Sequence, residues 1–256
     1  MLKIRDYLNN QALPWLVVLC AFAIPLKTGV FSVFVGLLII TWVISGDYKN
    51  KLDRILSNPV ALAACLLFVV FTFGLFYGDI PWQERFPGYL KYHKLLYIPI
   101  VISALKEERH RKWTMNAFLL GCLVVLLGSY LELFSIIPFH DDGQGFIVTK
   151  NRITHNILIG FAAFLMMHRA YAMTGTYRYV WSALTFLAVF NVLVMVNGLT
   201  GQLALILLIL LFLLQVKSLK PIKIVLAGIL IISAAVHFLD LHPHNRLLAQ
   251  LSGIQI

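Results

Sequence analysis

The densest group of residues able to do chemistry is Lys150-Asn151-Arg152-Ile153-Thr154-His155-Asn156, which gathers cations, amides, a hydroxyl and an imidazole ahead of an apolar run. That position is a helix entrance, where unpaired backbone N–H groups also favour an anion. At helical spacing His155 lies about one turn from Arg152, so both can meet one ligand. Arg85, Lys91 and Lys94 form a second group beside another apolar stretch. Arg and Lys hold phosphoryl oxygens by charge-assisted hydrogen bonds, so both groups suit a phosphate or pyrophosphate. The plainer reading is solvated loop charge, partly paired with Asp79, Glu84, Asp141 and Asp142. His155 fits a capping or interfacial role as well as a catalytic one.

Other candidates carry less. The turn Asn197-Gly198-Leu199-Thr200-Gly201-Gln202 separates two very apolar stretches, and its glycines permit a tight reversal. Gln202, just after it, can offer donors to a ligand. Glu132 is the one acid within an apolar run and reads as an interfacial carboxylate, with a proton or acceptor-hydroxyl site as the alternative. His237, His242 and His244 surround Asp240, but Pro243 breaks the spacing a helical metal site needs. Cys20, Cys65 and Cys122 sit in apolar runs without ligand spacing and read as small buried hydrophobes. Phosphate-loop, dinucleotide, nucleophile-elbow and zinc-protease motifs are absent from the sequence.

The elements that must position these residues are hydrophobic. Of 256 residues 60% are apolar and only 12% charged, and mean hydropathy is +0.85. So few charges cannot clothe that much apolar matter in water, so the expected class is an all-α, polytopic integral membrane protein. A span needs about 20 apolar residues. Charge-free stretches between Asp6 and Lys27, over 28–46, 55–78, 113–131, 153–168 and 179–216 (two spans), and over 224–239, with a short one over 95–105, predict about nine helices. With the N-terminus cytoplasmic, fourteen Lys and Arg fall on inner segments and seven on outer ones, which places the C-terminus in the periplasm. The net charge of +10 then reflects topology, and no nucleic-acid partner is expected. Without repeats or linkers, residues 1–256 read as a single transmembrane domain.

Three stretches resemble the O-antigen ligase and polymerase family of bacterial envelope enzymes. They are Leu90-Lys91-Tyr92-His93-Lys94-Leu95-Leu96 with Pro99 following, Lys150 to His155, and Val194-Met195-Val196-Asn197-Gly198-Leu199-Thr200-Gly201. The resemblance implies a multi-pass inner-membrane glycosyltransferase acting in lipopolysaccharide biosynthesis. Such an enzyme takes a glycan from undecaprenyl pyrophosphate at the periplasmic face and joins it to an acceptor, the lipid A core for a ligase, without cofactor or metal. Cations on the departing pyrophosphate would stabilise its developing charge. Arg152, Lys150, Arg85 and Lys91 are the expected substrate-binding residues, with Arg246 next.

The chain departs from the family pattern at two points. Leu199 stands where the family commonly carries an arginine, and Asn245-Arg246-Leu247-Leu248-Ala249-Gln250 resembles only the beginning of the family's long periplasmic loop and its histidine motif. The expectation is therefore a partial ligase-like domain that holds the lipid headgroup but is poorly equipped for turnover, with the catalytic residue unassigned. A secondary transporter, or a structural subunit of envelope glycan assembly, is the alternative.

Overall fold

The computed structural model describes residues 2–77, 81–137, 145–196 and 198–216. Among them the chain is helical throughout, with one isolated β-bridge between Gly145 and Val196. It forms two compact units, divided between Val125 and Leu126.

The first unit opens with α1 (Leu2–Tyr7), a wide π turn over Leu8–Ala12, and α2 (Leu13–Ala23), followed by α3 (Thr28–Ile44), α4 (Tyr48–Leu56) and α5 (Pro59–Gly74). Then come α6 (Trp82–Leu90), a tight 3₁₀ turn over Lys91–Leu96, and α7 (Tyr97–Ala104). Its core joins Leu13, Val17 and Cys20 of α2 to Val35 and Leu38 of α3 and Ala104 of α7. The sequence at 58–59 starts α5 in the expected way. The Asn58 side chain accepts from the N–H groups of Val60 and Ala61 at 3.0 and 3.1 Å, and Pro59 fills the first helical position, where no donor is needed.

Between α3 and α4 the chain bends by 116°. Gly46 and Asp47 both take left-handed backbone angles, φ 64° and 56°, which end one helix and start the next. The polar α4 then lays Lys51 back under the end of α3. Its ammonium, only 1% exposed, donates to the Trp42 carbonyl at 2.7 Å and the Ser45 hydroxyl at 2.6 Å, and lies 4.8 Å from the centre of the Trp42 ring. A cation at the carbonyl end of a helix satisfies acceptors the helix leaves open.

Burial pushes the Lys51 amine down from 10.5 to about 8, with Asp47 pulling the other way. Between pH 8 and 10.5 the unfolded chain therefore holds a proton that the folded chain has released. The stability penalty of the buried charge is complete below pH 8 and is relieved as pH rises through that window. Chemical denaturation in detergent should show stability climbing from pH 8 to 10. Lys51→Met should flatten that climb, and at neutral pH the relief of the buried charge offsets the donor that the Trp42 carbonyl loses. A slope identical in the variant would remove Lys51 as its source.

The next helix, α8 (Glu108–Leu133), runs through the division between the units. In the first unit its Gly121 lies so near α2 that a Cβ there would stand 2.3 Å from the Phe22 carbonyl oxygen. The second unit continues with α9 (Arg152–Ala172), α10 (Gly175–Phe190), a π turn over Asn191–Met195, and α11 (Leu199–Gln215). There α9 is central and packs against both α10 and α11. Ile159, Ala162, Ala163 and Met166 of α9 are buried, as are Val192 and Leu205.

Among the described residues two helices, Glu108–Leu133 and Gly175–Met195, are long and apolar enough to cross a membrane, and a third span results if the bent α3–α4 pair counts as one. At 26 residues α8 reaches about 39 Å, against about 30 Å of hydrocarbon. Large apolar side chains also face outward, among them Leu127, Leu207 and Leu214 at 60, 69 and 73% exposure, which suits lipid rather than water. The expected span over 224–239 lies outside the described residues.

Candidate functional site at the head of α9

Asn151 begins α9 by accepting the Thr154 N–H at 2.9 Å, the role its residue type and position predict. Arg152, the first helical residue, is exposed, and Lys150 is half-buried two positions ahead. One turn further on, the helix face changes character. His155 and Asn156 are 2% and 0% exposed.

Both are held by the segment that ends α10. His155 Nε2 lies 2.9 Å from Asn191 Oδ1, Asn191 Nδ2 donates to Ser129 Oγ at 2.7 Å, and Ser129 Oγ donates to the Phe146 carbonyl at 2.5 Å. The direction of this chain follows from its far end. A carbonyl only accepts, so the Ser129 hydroxyl spends its proton on Phe146 and accepts from the Asn191 amide. Asn191 must then present its oxygen to His155, so Nε2 carries the proton and neutral His155 keeps a lone pair on Nδ1. The π turn starts at Asn191 and departs from the α-helical hydrogen-bond pattern, a feature frequent at functional sites.

The turn before α11 closes on the same place. A Cβ on Gly201 would stand 2.1 Å from the Asn156 Cβ, and one on Gly198 would stand 3.0 Å from Asn156 Nδ2, so glycine at 201 is what lets the two helix starts meet. Asn156 Nδ2 reaches the Val196 carbonyl at 3.4 Å, and Gln202 Nε2 reaches the Leu193 carbonyl at 3.3 Å. Glu132, near the end of α8, is 4% exposed. The expected interfacial carboxylate is thus corrected to a buried one.

The two richest sequence motifs, 150–156 and 197–202, therefore come together, although Asn197 itself is outside the described residues. Ser129 and Asn191 belong to the site and were not singled out in the sequence. The signal for Asn191 was a lone amide within the apolar stretch over 186–196, costly to bury unless it is partnered.

The other expected residues stand elsewhere. Arg85, on α6, donates to the Leu75 carbonyl, and Lys91 is exposed where α6 gives way to the 3₁₀ turn. Both belong to the Met1–Val125 unit, whereas Lys150 and Arg152 belong to the other. Arg246, the His237, His242 and His244 group, Asp79, Asp141 and Asp142 lie outside the described residues. Among the described residues no group of three His, Cys, Asp or Glu side chains could hold a metal ion.

No protein-family profile, curated protein or solved structure matches the chain.

Proposed function

We propose that the chain is a multi-pass protein of a bacterial inner membrane that handles a glycan carried on undecaprenyl pyrophosphate, as an O-antigen ligase-like transferase serving the lipid A core. The observation that supports this most is the buried His155–Asn191–Ser129 chain directly below Lys150 and Arg152 at the start of α9. Two cations beside a helix N-terminus suit a pyrophosphate. A polar interior behind them suits the sugar that the pyrophosphate carries. In this reading about nine helices cross the bilayer, the N-terminus is cytoplasmic and the head of α9 faces the periplasm.

The reading is tested by lipid binding to purified protein in nanodiscs, measured by native mass spectrometry. Lys150→Ala with Arg152→Ala should weaken undecaprenyl pyrophosphate about 10–100-fold, equivalent to about 1.4–2.8 kcal/mol. Arg109→Ala, on an exposed inner-segment cation, should leave it unchanged. Equal binding by wild type and the double variant would refute the headgroup role.

One observation favours a transporter instead, the buried Glu132 carboxylate near the end of a spanning-length helix. Ion-coupled uptake into proteoliposomes that is abolished by Glu132→Gln, with lipid binding intact, would select that reading.

A further inference from the structure

Three buried side chains around the segment Asn191–Val196 share one arrangement. His155, Asn156 and Gln202 are 2, 0 and 6% exposed. Each spends its donor on that segment: His155 Nε2 on Asn191, Asn156 Nδ2 on the Val196 carbonyl, and Gln202 Nε2 on the Leu193 carbonyl. Each is then left with one buried atom that has no hydrogen-bond partner, namely His155 Nδ1, Asn156 Oδ1 and Gln202 Oε1.

All three orphans are acceptors. The two amides are oriented by carbonyls, which cannot donate, and the imidazole by the chain that ends on Phe146. A buried acceptor left unmade costs free energy, and three around one six-residue segment amount to a consistent demand for hydrogen-bond donors. Phosphate and carboxylate offer only lone pairs here and would be repelled. A hydroxyl-rich group meets that demand, because each hydroxyl donates one proton.

We infer that His155 Nδ1, Asn156 Oδ1 and Gln202 Oε1 form a subsite for the hydroxyls of a sugar, separate in chemistry from the cationic headgroup contacts of Lys150 and Arg152. The inference rests on the lipid-linked glycan reading and adds to it a division of labour. Cations at the helix start take the pyrophosphate, and neutral acceptors one turn inward take the carbohydrate. It also makes Gln202 a ligand acceptor, where the sequence suggested a donor.

The test uses full-length protein in nanodiscs and two probes, undecaprenyl pyrophosphate bearing a disaccharide and the same lipid without sugar. Gln202→Met keeps the side-chain length and removes the acceptor together with the donor to the Leu193 carbonyl. It should weaken the sugar-bearing lipid about tenfold while leaving the sugar-free lipid unchanged. The melting temperature of the ligand-free variant should stay close to that of wild type, because the unpaired buried oxygen is removed together with the 3.3 Å bond to the Leu193 carbonyl. His155→Gln, made in parallel, should show the same selectivity for the sugar-bearing lipid. If Gln202→Met and His155→Gln bind both lipids as wild type does, or lose both equally, the subsite is refuted and the headgroup role stands. If wild type binds neither lipid, the lipid-linked glycan reading fails and takes the subsite with it. A fall in ligand-free melting temperature with unchanged selectivity would show the three side chains to be structural, with buried water on their acceptors.

Discussion

Asn191→Leu is expected to lower the stability of the second unit by roughly 2–6 kcal/mol, because two buried groups lose their partner at once at about 1–3 kcal/mol each. The His155 Nε2 proton loses its acceptor and the Ser129 oxygen loses its donor. Leu is close in volume, so packing contributes little to the change. Denaturation in mixed detergent should detect the loss. The same substitution made in a His155→Phe background should cost less, by about 0.5–3 kcal/mol, since one of the two orphans is already gone. Strict additivity of the two substitutions would mean that the imidazole and the amide do not interact in the folded protein.

The second large effect is expected at Gly201. An alanine methyl would fall 2.1 Å from the Asn156 Cβ, which is fixed to its backbone and cannot swing aside. The start of α11 must then move away from α9 by more than an ångström, and overpacking of that kind costs about 1–3 kcal/mol and sometimes more. Gln202, the next residue, would be carried along, so affinity for a sugar-bearing lipid should fall together with stability. Gly160→Ala is the control on the same helix pair. Its methyl would meet the Leu205 Cβ at 3.6 Å, an ordinary contact, and removal of a glycine from a helix interior gains up to about 1 kcal/mol. Melting curves that rank the two variants in the opposite order would contradict the close approach of the two helix starts.

Much of this architecture could be read from composition and charge spacing, because apolar runs without charge become helices in nearly any environment that lets them form. The run over 28–46 is α3 to within two residues, and that over 113–131 lies inside α8. The short stretch over 95–105 is indeed short, and a 3₁₀ turn precedes α7 there. Polarity at 150–156 marked the head of α9 because an Asn beside an apolar run is a cap before it is anything else. Hydropathy did not reveal α4 as a separate helix turned by 116°, since the turn depends on two left-handed residues, one of them the non-glycine Asp47. Nor did it reveal the burial of Lys51, which the positive-inside pattern counted as a solvated inner cation. Asn191 and Ser129 escaped for a related reason. Each is a single polar residue in an apolar setting, and only the fold says that the two meet although 62 positions apart.

The π turn over Asn191–Met195 holds one residue more than an α-helical turn would. Loss of a single codon at Leu193 or Val194 would close it to ordinary α geometry and draw its carbonyls back into the helical hydrogen-bond ladder. The carbonyls that orient Asn156 and Gln202 would swing away with every polar side chain still encoded. Variation in length at this one place can therefore dismantle the buried polar cluster without any substitution, so a one-residue deletion there reaches the same end as loss of Asn191.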